Sequence, residues 1–346
     1  MGKKIVTFGE MLLRFTTPGN LRLQQARSFD ANFGGSEVNV AISIASYGGN
    51  AVLVTALPDN PLGSVCLMKL REHGVGTEDV MMMKGERLGT YIVEKAADLR
   101  PATVIYDRKD SAFSRLKPGM IDWDKVFEGA GIFHWSGIDA SLTQGLADVC
   151  AEAISAAERL GVKVSCDINY RKNLWQYGRS AEEVLVPLMQ RSEIIFGSSG
   201  EYEKALGLKA PAFTVKNVGE RIDAGEYEDY CARAAGLLPR CSHLFMCMRN
   251  AITSDHHCLE GVLYSGGSLK VSRTYEVNNV VDSMGVGDAF VGAMLYAVQN
   301  YADDQNMLDF AMAGSALKNT IVGDYNMVSV SEVEALMKGA SAEMRR

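Results

Sequence analysis

The sequence has no apolar run close to the roughly 20 residues that a membrane-spanning helix needs. We also expect no signal peptide, because the short apolar stretch after Lys4 is interrupted by Glu10. Positive charge is not in excess, with 35 Lys and Arg against 42 Asp and Glu and a net charge of −7. These features argue against a membrane protein and against a partner of nucleic acids or acidic membranes.

The seven cysteines include no CxxC pair. A dispersed set of odd number is typical of reduced thiols, so we expect a cytoplasmic protein. One run, Asp255-His256-His257-Cys258, is rich in metal-binding side chains. Neighbouring residues of a strand point to opposite faces of a sheet, however, which disfavours a shared metal ion.

What is present is an ordinary globular composition, 47% hydrophobic and 22% charged. Strands are predicted near residues 4–10 and 51–56, each followed by an amphipathic helix, and the same rhythm returns after residue 131. This order indicates an α/β fold with a mostly parallel sheet covered by helices. The length of 346 residues is compatible with two domains or with one large core.

Two short segments, residues 90–95 and 102–107, alternate apolar and polar side chains with no helix between them. They are predicted to form an antiparallel hairpin. Together with residues 11–33, the region 86–112 could form a small second sheet, which we call the lid. Exposed strand edges favour pairing between chains, so we expect a homodimer through the lid.

Residues 282–290 lie between a predicted strand that ends near Val281 and an amphipathic helix that starts near Phe290. Two glycines, Gly285 and Gly287, therefore sit at a strand-to-helix turn, with Asp288 in the first helical turn. Free backbone N–H groups and the helix dipole would favour an anion there. The alternative is that Asp288 only caps the helix and that the glycines only turn the chain.

Ligands of open α/β sheets bind beyond the carboxyl ends of the strands. The polar candidates at those ends are Glu10, Asn39, Asn169, Arg171, Glu201 and Asp288. Arg171 could bind a carboxylate or phosphate, or form an ordinary surface ion pair. Tyr91 and Tyr106 of the hairpin could bind a polyol and exclude water, or could be ordinary edge aromatics. The first strand-helix turn lacks a GxGxxG motif, which argues against a nucleotide-linked dehydrogenase.

The Gly-Gly-Ser-Glu-Val-Asn-Val-Ala segment at residues 34–41, the inserted hairpin and the Gly-Val-Gly-Asp-Ala-Phe segment at 285–290 resemble the ribokinase-like (PfkB) sugar kinases. The resemblance extends from about residue 4 to 340. Within that family, it is strongest to 2-keto-3-deoxygluconate kinases. The segments that suggest this subfamily are 89–91, 104–108, 167–175 and 320–326.

The resemblance implies one ribokinase-like α/β domain over residues 1–346 with the lid inserted in it. It implies that ATP and Mg²⁺ are used and that Asp288 is the base that accepts the proton of a sugar hydroxyl. The N–H groups of Gly285, Val286 and Gly287 would bind the transferred phosphoryl group. Arg171 would bind the carboxylate of a small sugar acid. The other sugar-binding residues would be Glu10, Gly34, Gly35, Asn39, Tyr91, Tyr106, Arg108 and Asp324.

On the nucleotide side, the resemblance implies binding by Asn169, Ser198, Glu201, Arg249, Gly285 and Gly287, with Glu201 linked indirectly to the metal. Three departures from the family pattern lie here. Val286 replaces a small residue and requires a helical backbone, because β-branched residues avoid positive φ. Ser198 replaces an asparagine in an Asn-x-x-Glu motif. Residues 249–254 replace a glycine-containing nucleotide loop, from which Arg249 could reach the ATP phosphates.

Three functions are compatible with these features. The first is a kinase for 2-keto-3-deoxygluconate. The second is a kinase for another sugar, such as fructose. The third is a non-catalytic sugar-binding relative, since the departures all lie on the nucleotide side.

Overall fold

The computed structural model describes residues 2–339, so Met1 and residues 340–346, at the two ends of the expected domain, lie outside it. Fourteen strands occur in this range: β1 Lys4–Phe8, β2 Leu12–Thr16, β3 Asp30–Gly34, β4 Ala51–Pro58, β5 Val80–Met83, β6 Gly89–Glu94, β7 Thr103–Asp107, β8 Ala130–Ser136, β9 Lys163–Asp167, β10 Ile194–Gly197, β11 His243–Ala251, β12 His257–Ser265, β13 Ser268–Val271 and β14 Tyr275–Val277.

The same part of the chain contains eleven α-helices and a 3₁₀ turn at Phe113–Arg115. The helices are α1 Ser36–Ser46, α2 Pro61–Glu72, α3 Trp123–Val126, α4 Gly137–Leu142, α5 Gln144–Leu160, α6 Ala181–Met189, α7 Ser199–Leu206, α8 Ala224–Gly236, α9 Val286–Asn300, α10 Asp304–Lys318 and α11 Val330–Met337. No helix within residues 2–339 is both long and apolar enough to cross a membrane.

Ten strands form the main sheet, in the order β13-β12-β11-β10-β9-β8-β1-β4-β5, with β14 also paired to β12. Seven strands of this path are parallel to one another: β5, β4, β1, β8, β9, β10 and β11. Strands β12, β13 and β14 are antiparallel to the strands with which they pair. The predicted α/β class with a mostly parallel sheet is confirmed.

Alternate residues of the central strands feed two hydrophobic cores, one on each face of the main sheet. In β1, Ile5 packs with α1, α9 and α10, whereas Val6 packs on the opposite face with α5. In β8, Ile132 belongs to the same core as Ile5, and Phe133 belongs to the same core as Val6. Because successive side chains of a strand point to opposite faces, helices must cover both.

Two sequence-based boundaries differ from the structure. The helix expected over residues 142–160 is divided at Thr143, which is extended and whose side chain accepts the Leu146 N–H to cap α5. The strand expected to end at Val281 ends at Val277. Val280 and Val281 instead donate their N–H groups to loop carbonyls, so they lie outside the sheet.

The lid is a four-stranded sheet in the order β3-β2-β6-β7. The predicted β6–β7 hairpin is antiparallel, as is β2–β3, but the central pair β2–β6 is parallel. The two central strands follow directly from β1 and β5, which belong to the same parallel sheet, and so enter the lid in the same direction.

Arg14 of β2 anchors the lid to the rest of the molecule. Its side chain is 1% exposed and donates to Asp324 Oδ1 at 2.7 Å, Asp282 Oδ2 at 2.8 Å and Thr16 Oγ1 at 2.8 Å. Burial alone would lower the pKa of Arg14, but the charges of Asp324 and Asp282 outweigh this effect and raise it. The guanidinium therefore stays charged and joins three distant segments.

We expect Arg14→Met to reduce the free energy of unfolding by about 3–5 kcal/mol, because it leaves two buried carboxylates without their cation. Arg87→Met is the matched control in the lid. Its ion pair with Asp107 is solvent-exposed, at 38% and 69%, and should contribute roughly 0–1 kcal/mol. Denaturant titration of both variants tests this, and equal small losses would contradict it.

Candidate active site

Helix α9 begins in the conformation that its sequence predicts. Gly285 is left-handed, with φ of +75°, and Val286 is the first helical residue, so the β-branched side chain avoids a positive φ. A Cβ on Gly285 would lie 2.1 Å from the Asp324 carbonyl oxygen, which excludes any side chain there. No side chain caps this helix, and its first N–H groups remain available to an anion.

Asp288 is held by two side chains from the first turn of α1. Asn39 Nδ2 donates to Asp288 Oδ2 at 2.6 Å, and Ser36 Oγ donates to Asp288 Oδ1 at 3.1 Å. Asn169 Nδ2 in turn donates to Ser36 Oγ at 2.9 Å. Sequence reasoning did not select Ser36, although it directly follows the Gly34-Gly35 pair. The three donors orient one carboxylate at the start of α9.

The environment of Asp288 makes its carboxyl group a stronger base than an ordinary aspartate. Burial is the largest effect and raises its pKa, the charge of Asp324 acts in the same direction, and the hydrogen bonds from Asn39 and Ser36 partly offset both. A carboxylate with a raised pKa and a fixed orientation is suited to accept a proton from a hydroxyl group.

The glycine pair before α1 is required by close packing. A Cβ on Gly35, whose φ is +146°, would lie 2.0 Å from the Glu10 carbonyl oxygen. A Cβ on Gly34 would lie 2.6 Å from Asp324 Oδ2 and 2.9 Å from the Tyr91 hydroxyl. Contact of these glycines with a sugar stays a prediction, and the backbone packing is an independent reason for them.

Two predicted sugar-binding residues, Glu10 and Arg108, form a buried ion pair. Arg108 Nε donates to Glu10 Oε2 at 2.7 Å, and the residues are 7% and 2% exposed, respectively. Glu10 Oε1 is buried without a hydrogen-bond partner among the described residues, and the same holds for Asn39 Oδ1. Unsatisfied buried acceptors favour a ligand with hydroxyl donors.

Three other predicted sugar-binding residues occupy the lid side of the site. Tyr91 donates its hydroxyl to Asp324 Oδ2, and the other oxygen of Asp324 accepts from Arg14. Both oxygens of Asp324 are therefore engaged by the protein, so this residue has a structural role, and its contact with a substrate stays a prediction. Tyr106 stacks on Tyr91 with 5.8 Å between ring centroids and is 45% exposed, so it remains accessible to a ligand.

Ser198 and Glu201 form a capping box at the start of α7. Glu201 Oε2 accepts from the Ser198 N–H and Oγ, both at 2.8 Å, and the Glu201 N–H donates back to Ser198 Oγ. Serine is a good helix cap, so its substitution for asparagine preserves the local structure.

Asp167, at the end of β9, is a site residue that sequence reasoning missed. Its pKa is raised well above the usual value by burial and by the charges of Glu201 and Asp288. Within residues 2–339, no group of three or more His, Cys, Asp or Glu side chains is arranged to hold a metal ion. The run from Asp255 to Cys258 forms no such group either. Mg²⁺ typically uses one or two carboxylates together with phosphate oxygens, which these residues could supply with a bound nucleotide.

Arg171 and Arg249 are exposed, and neither forms an ion pair with any other residue in the described part of the chain. Although Arg249 is exposed to solvent, the protein around its guanidinium partly desolvates it and lowers its pKa, and the charge of Arg171 acts in the same direction. The effect of that charge shows that the two arginines lie near each other. The prediction that a loop begins at Arg249 is wrong for its first three residues. Strand β11 continues to Ala251, and Arg249 pairs with Leu259 of β12. Continued antiparallel pairing with β12 accounts for the longer strand.

Comparison with known proteins agrees with this geometry. A family model described as pfkB family carbohydrate kinase matches residues 2–228 and 257–329. A 2-dehydro-3-deoxygalactonokinase of Haloferax volcanii is 30% identical over 100% of both chains. A probable fructokinase-4 of Arabidopsis thaliana is 26% identical over 97% of both chains. The crystal structure of a 2-dehydro-3-deoxygluconokinase of Thermotoga maritima is 36% identical, with a TM-score of 0.89, and 97% of this chain and 100% of that one are covered.

Fold and site thus define a phosphotransferase that acts on a sugar hydroxyl. The chain belongs to the pfkB family of carbohydrate kinases. The stretch between the two matched ranges, residues 229–256, includes Arg249 to Ser254, where the sequence departs from the usual nucleotide loop.

We expect the acid limb of the pH profile for turnover to move to higher pH in Asn39→Ala. The Asn39 hydrogen bond favours the ionised form of Asp288, so its loss raises the pKa of that carboxyl group, and the base becomes protonated at a higher pH. Initial rates of ADP release across pH measure this shift.

Asn300→Ala, at the exposed end of α9, is the control and should leave the profile unchanged. Asp288→Asn should have no turnover at any pH, which would show that this carboxylate is required. An unshifted limb in Asn39→Ala would argue against Asp288 as the titrating base.

Proposed function

We propose that the protein is an ATP-dependent kinase for a 2-keto-3-deoxy sugar acid, with 2-keto-3-deoxygluconate as the first candidate substrate. The observation that carries the proposal is the Asp288 carboxylate, held by Asn39 and Ser36 at an uncapped helix N-terminus. The unpaired guanidinium of Arg171 is close enough for its charge to lower the pKa of that carboxyl group, against the raising effect of burial.

The proposed reaction transfers the γ-phosphoryl group of ATP to a sugar hydroxyl. Asp288 accepts the proton of the sugar hydroxyl while the hydroxyl oxygen attacks the γ-phosphorus. The bond between the γ-phosphorus and the bridging oxygen breaks, and ADP leaves with that oxygen. The N–H groups of Val286 and Gly287 stabilise the negative charge on the transferred group. Open space above Gly287, where a Cβ would meet no atom within 4 Å, leaves room for the phosphates.

Magnesium fits the carboxylates of this region. When bound with the nucleotide, Mg²⁺ would neutralise phosphate charge, and Asp167 and Glu201 are the residues placed to hold it directly or through water. Burial and then the charges of Glu201 and Asp288 raise the pKa of Asp167, and the charge of Arg171 offsets only part of this, so a divalent cation would relieve the remaining repulsion.

The sugar side supports a hydroxylated acid rather than an apolar ligand. Glu10 Oε1 and Asn39 Oδ1 are buried acceptors without partners in the described range, suited to hydroxyl donors. Arg171 can bind a carboxylate through two parallel hydrogen bonds. The Haloferax volcanii and Thermotoga maritima relatives are named for 2-dehydro-3-deoxy sugar acids, which supports the same class of substrate.

A second candidate is a kinase for fructose, which the likeness to the Arabidopsis thaliana fructokinase favours. A panel assay of ADP release with ATP and Mg²⁺ distinguishes the two. The panel contains 2-keto-3-deoxygluconate, its 2-keto-3-deoxygalactonate epimer, fructose and ribose. Preference for a neutral sugar would overturn the sugar-acid proposal. A sugar that raises the melting temperature without any ADP release would favour the non-catalytic alternative.

Arg171→Ala should lower kcat/KM for sugar acids about 10- to 100-fold, since a hydrogen bond to a charged group contributes roughly 1.5–3 kcal/mol. Neutral sugars that the wild type accepts should be nearly unaffected. Arg179→Ala, in the same segment but paired with Glu183 on the surface, is the matched control. Equal losses on acids and neutral sugars would defeat the assignment of Arg171 to the carboxylate.

We also propose a homodimer through the lid, residues 11–33 and 86–112. Its outer strand β7 is an edge strand, and Ile105 and Tyr106 on it are 47% and 45% exposed. The mass in solution should be twice that of the chain, and Ile105→Glu should reduce it to one. A monomeric wild type would remove the proposal.

A further inference from the structure

Lys318, the last residue of α10, is a buried charge that the mechanism above does not use. Its side chain is 0% exposed, although lysine is seldom fully buried without a partner. Its Nζ donates to the Ile321 carbonyl at 3.1 Å and to the Asp282 carbonyl at 3.4 Å. Within residues 2–339 no carboxylate oxygen lies within ion-pair distance of Nζ, so backbone carbonyls are its main partners.

These two carbonyls belong to the segments that shape the anion-binding turn. Asp282 Oδ1 accepts the Met284 N–H, and Asp282 Oδ2 accepts the Gly323 N–H, both at 3.1 Å. Lys318 therefore bridges the segment that leads into Gly285 and the segment that packs on it. One turn earlier in α10, Ser315 Oγ donates to the Val286 carbonyl at 2.9 Å. Helix α10 thus holds the turn on both sides of Gly285.

The ammonium group faces four charged side chains. Burial is the largest effect and lowers the pKa of Lys318 to about 8, Asp282, Asp324 and Asp288 favour the charged form, and Arg14 opposes it. The charged form is thus present at neutral pH. Its positive potential adds to that of the N-terminus of α9.

We propose that Lys318 is a positioning residue for phosphoryl transfer, an internal cation that holds the turn at residues 282–285 and adds positive potential behind the N–H groups of Val286 and Gly287. The inference rests on the proposed anion-binding role of that turn. A helix C-terminal cap would bind carbonyls of the last turn of α10, whereas Ile321 and Asp282 both lie outside that helix. The second bond, to Asp282, and the complete burial go beyond what a cap requires.

Substitution in the full chain separates charge from hydrogen bonding. Lys318→Gln keeps N–H donors without charge, and Lys318→Met removes both. We expect kcat to fall about tenfold or more in both variants, because a preorganised anion site loses a cation, whereas KM for the sugar should change less than about twofold. Lys338→Met is the control and should match the wild type, because this side chain directly after α11 is 78% exposed.

Chemical rescue tests the role of the cation directly. In Lys318→Ala, ammonium chloride should restore part of kcat by occupying the vacated site near the two carbonyls. Sodium chloride of equal ionic strength and bulky tetramethylammonium chloride should restore none. A purely structural role of the hydrocarbon stem would give no response to ammonium.

The dependence of kcat on pH tests the charge of Lys318 and needs only one variant, Lys318→Gln, to fold. The wild-type kcat should decline as pH rises through about 8, where Lys318 loses its proton, and this alkaline limb should be absent from Lys318→Gln. A limb that persists in Lys318→Gln, or a wild-type kcat in that variant, would overturn the proposal.

The assays use whichever sugar of the panel the wild type phosphorylates. A neutral sugar as the true substrate would therefore overturn the proposed substrate while leaving the test of Lys318 intact.

Discussion

The buried guanidinium of Arg14 is the interaction on which the arrangement of the site depends. It joins strand β2 of the lid to Asp282, before α9, and to Asp324, near the C-terminus. The Asp324 carbonyl in turn packs against Gly285, where no Cβ fits. The position of the lid and the shape of the turn before α9 are thus linked through one side chain. Such a buried charge is tolerated because both carboxylates and Thr16 satisfy its hydrogen bonds.

In the proposed mechanism, the chemistry depends on two helix N-termini. Helix α9 presents free N–H groups and Asp288, while α1 presents Ser36 and Asn39, which hold that carboxylate. The surrounding carboxyl groups are offset by cations of different kinds: Arg14 and Lys318 are buried and fixed, whereas Arg171 is exposed and unpaired within the described range. Fixed charges shape the site before any ligand arrives, and the exposed arginine remains available for the proposed contact with a substrate carboxylate.

Local patterns were sufficient to predict much of this molecule. The alternation of strands and helices predicted the parallel sheet, and the hairpin at 90–107 was recognised because period-two alternation depends only on neighbouring residues. Val286 limited the backbone of the Gly-Val-Gly-Asp turn to a helical conformation, and the positive φ falls on Gly285. Where local signals were ambiguous, as at Val280 and Val281, tertiary hydrogen bonds to loop carbonyls decided the structure.

The sequence by itself determined the class of fold, the turn that can bind an anion and the carboxylate beside it, because these follow from residue types at short spacing. Only the tertiary structure decided which side chains hold each carboxylate. Arg14 meets Asp324 across 310 positions, and Ser36 meets Asp288 across 252. Partners so far apart leave no local pattern, since their contact arises when separate elements pack together. For the same reason, the contacts of Asp324, Ser36 and Lys318 are evident only in the folded chain.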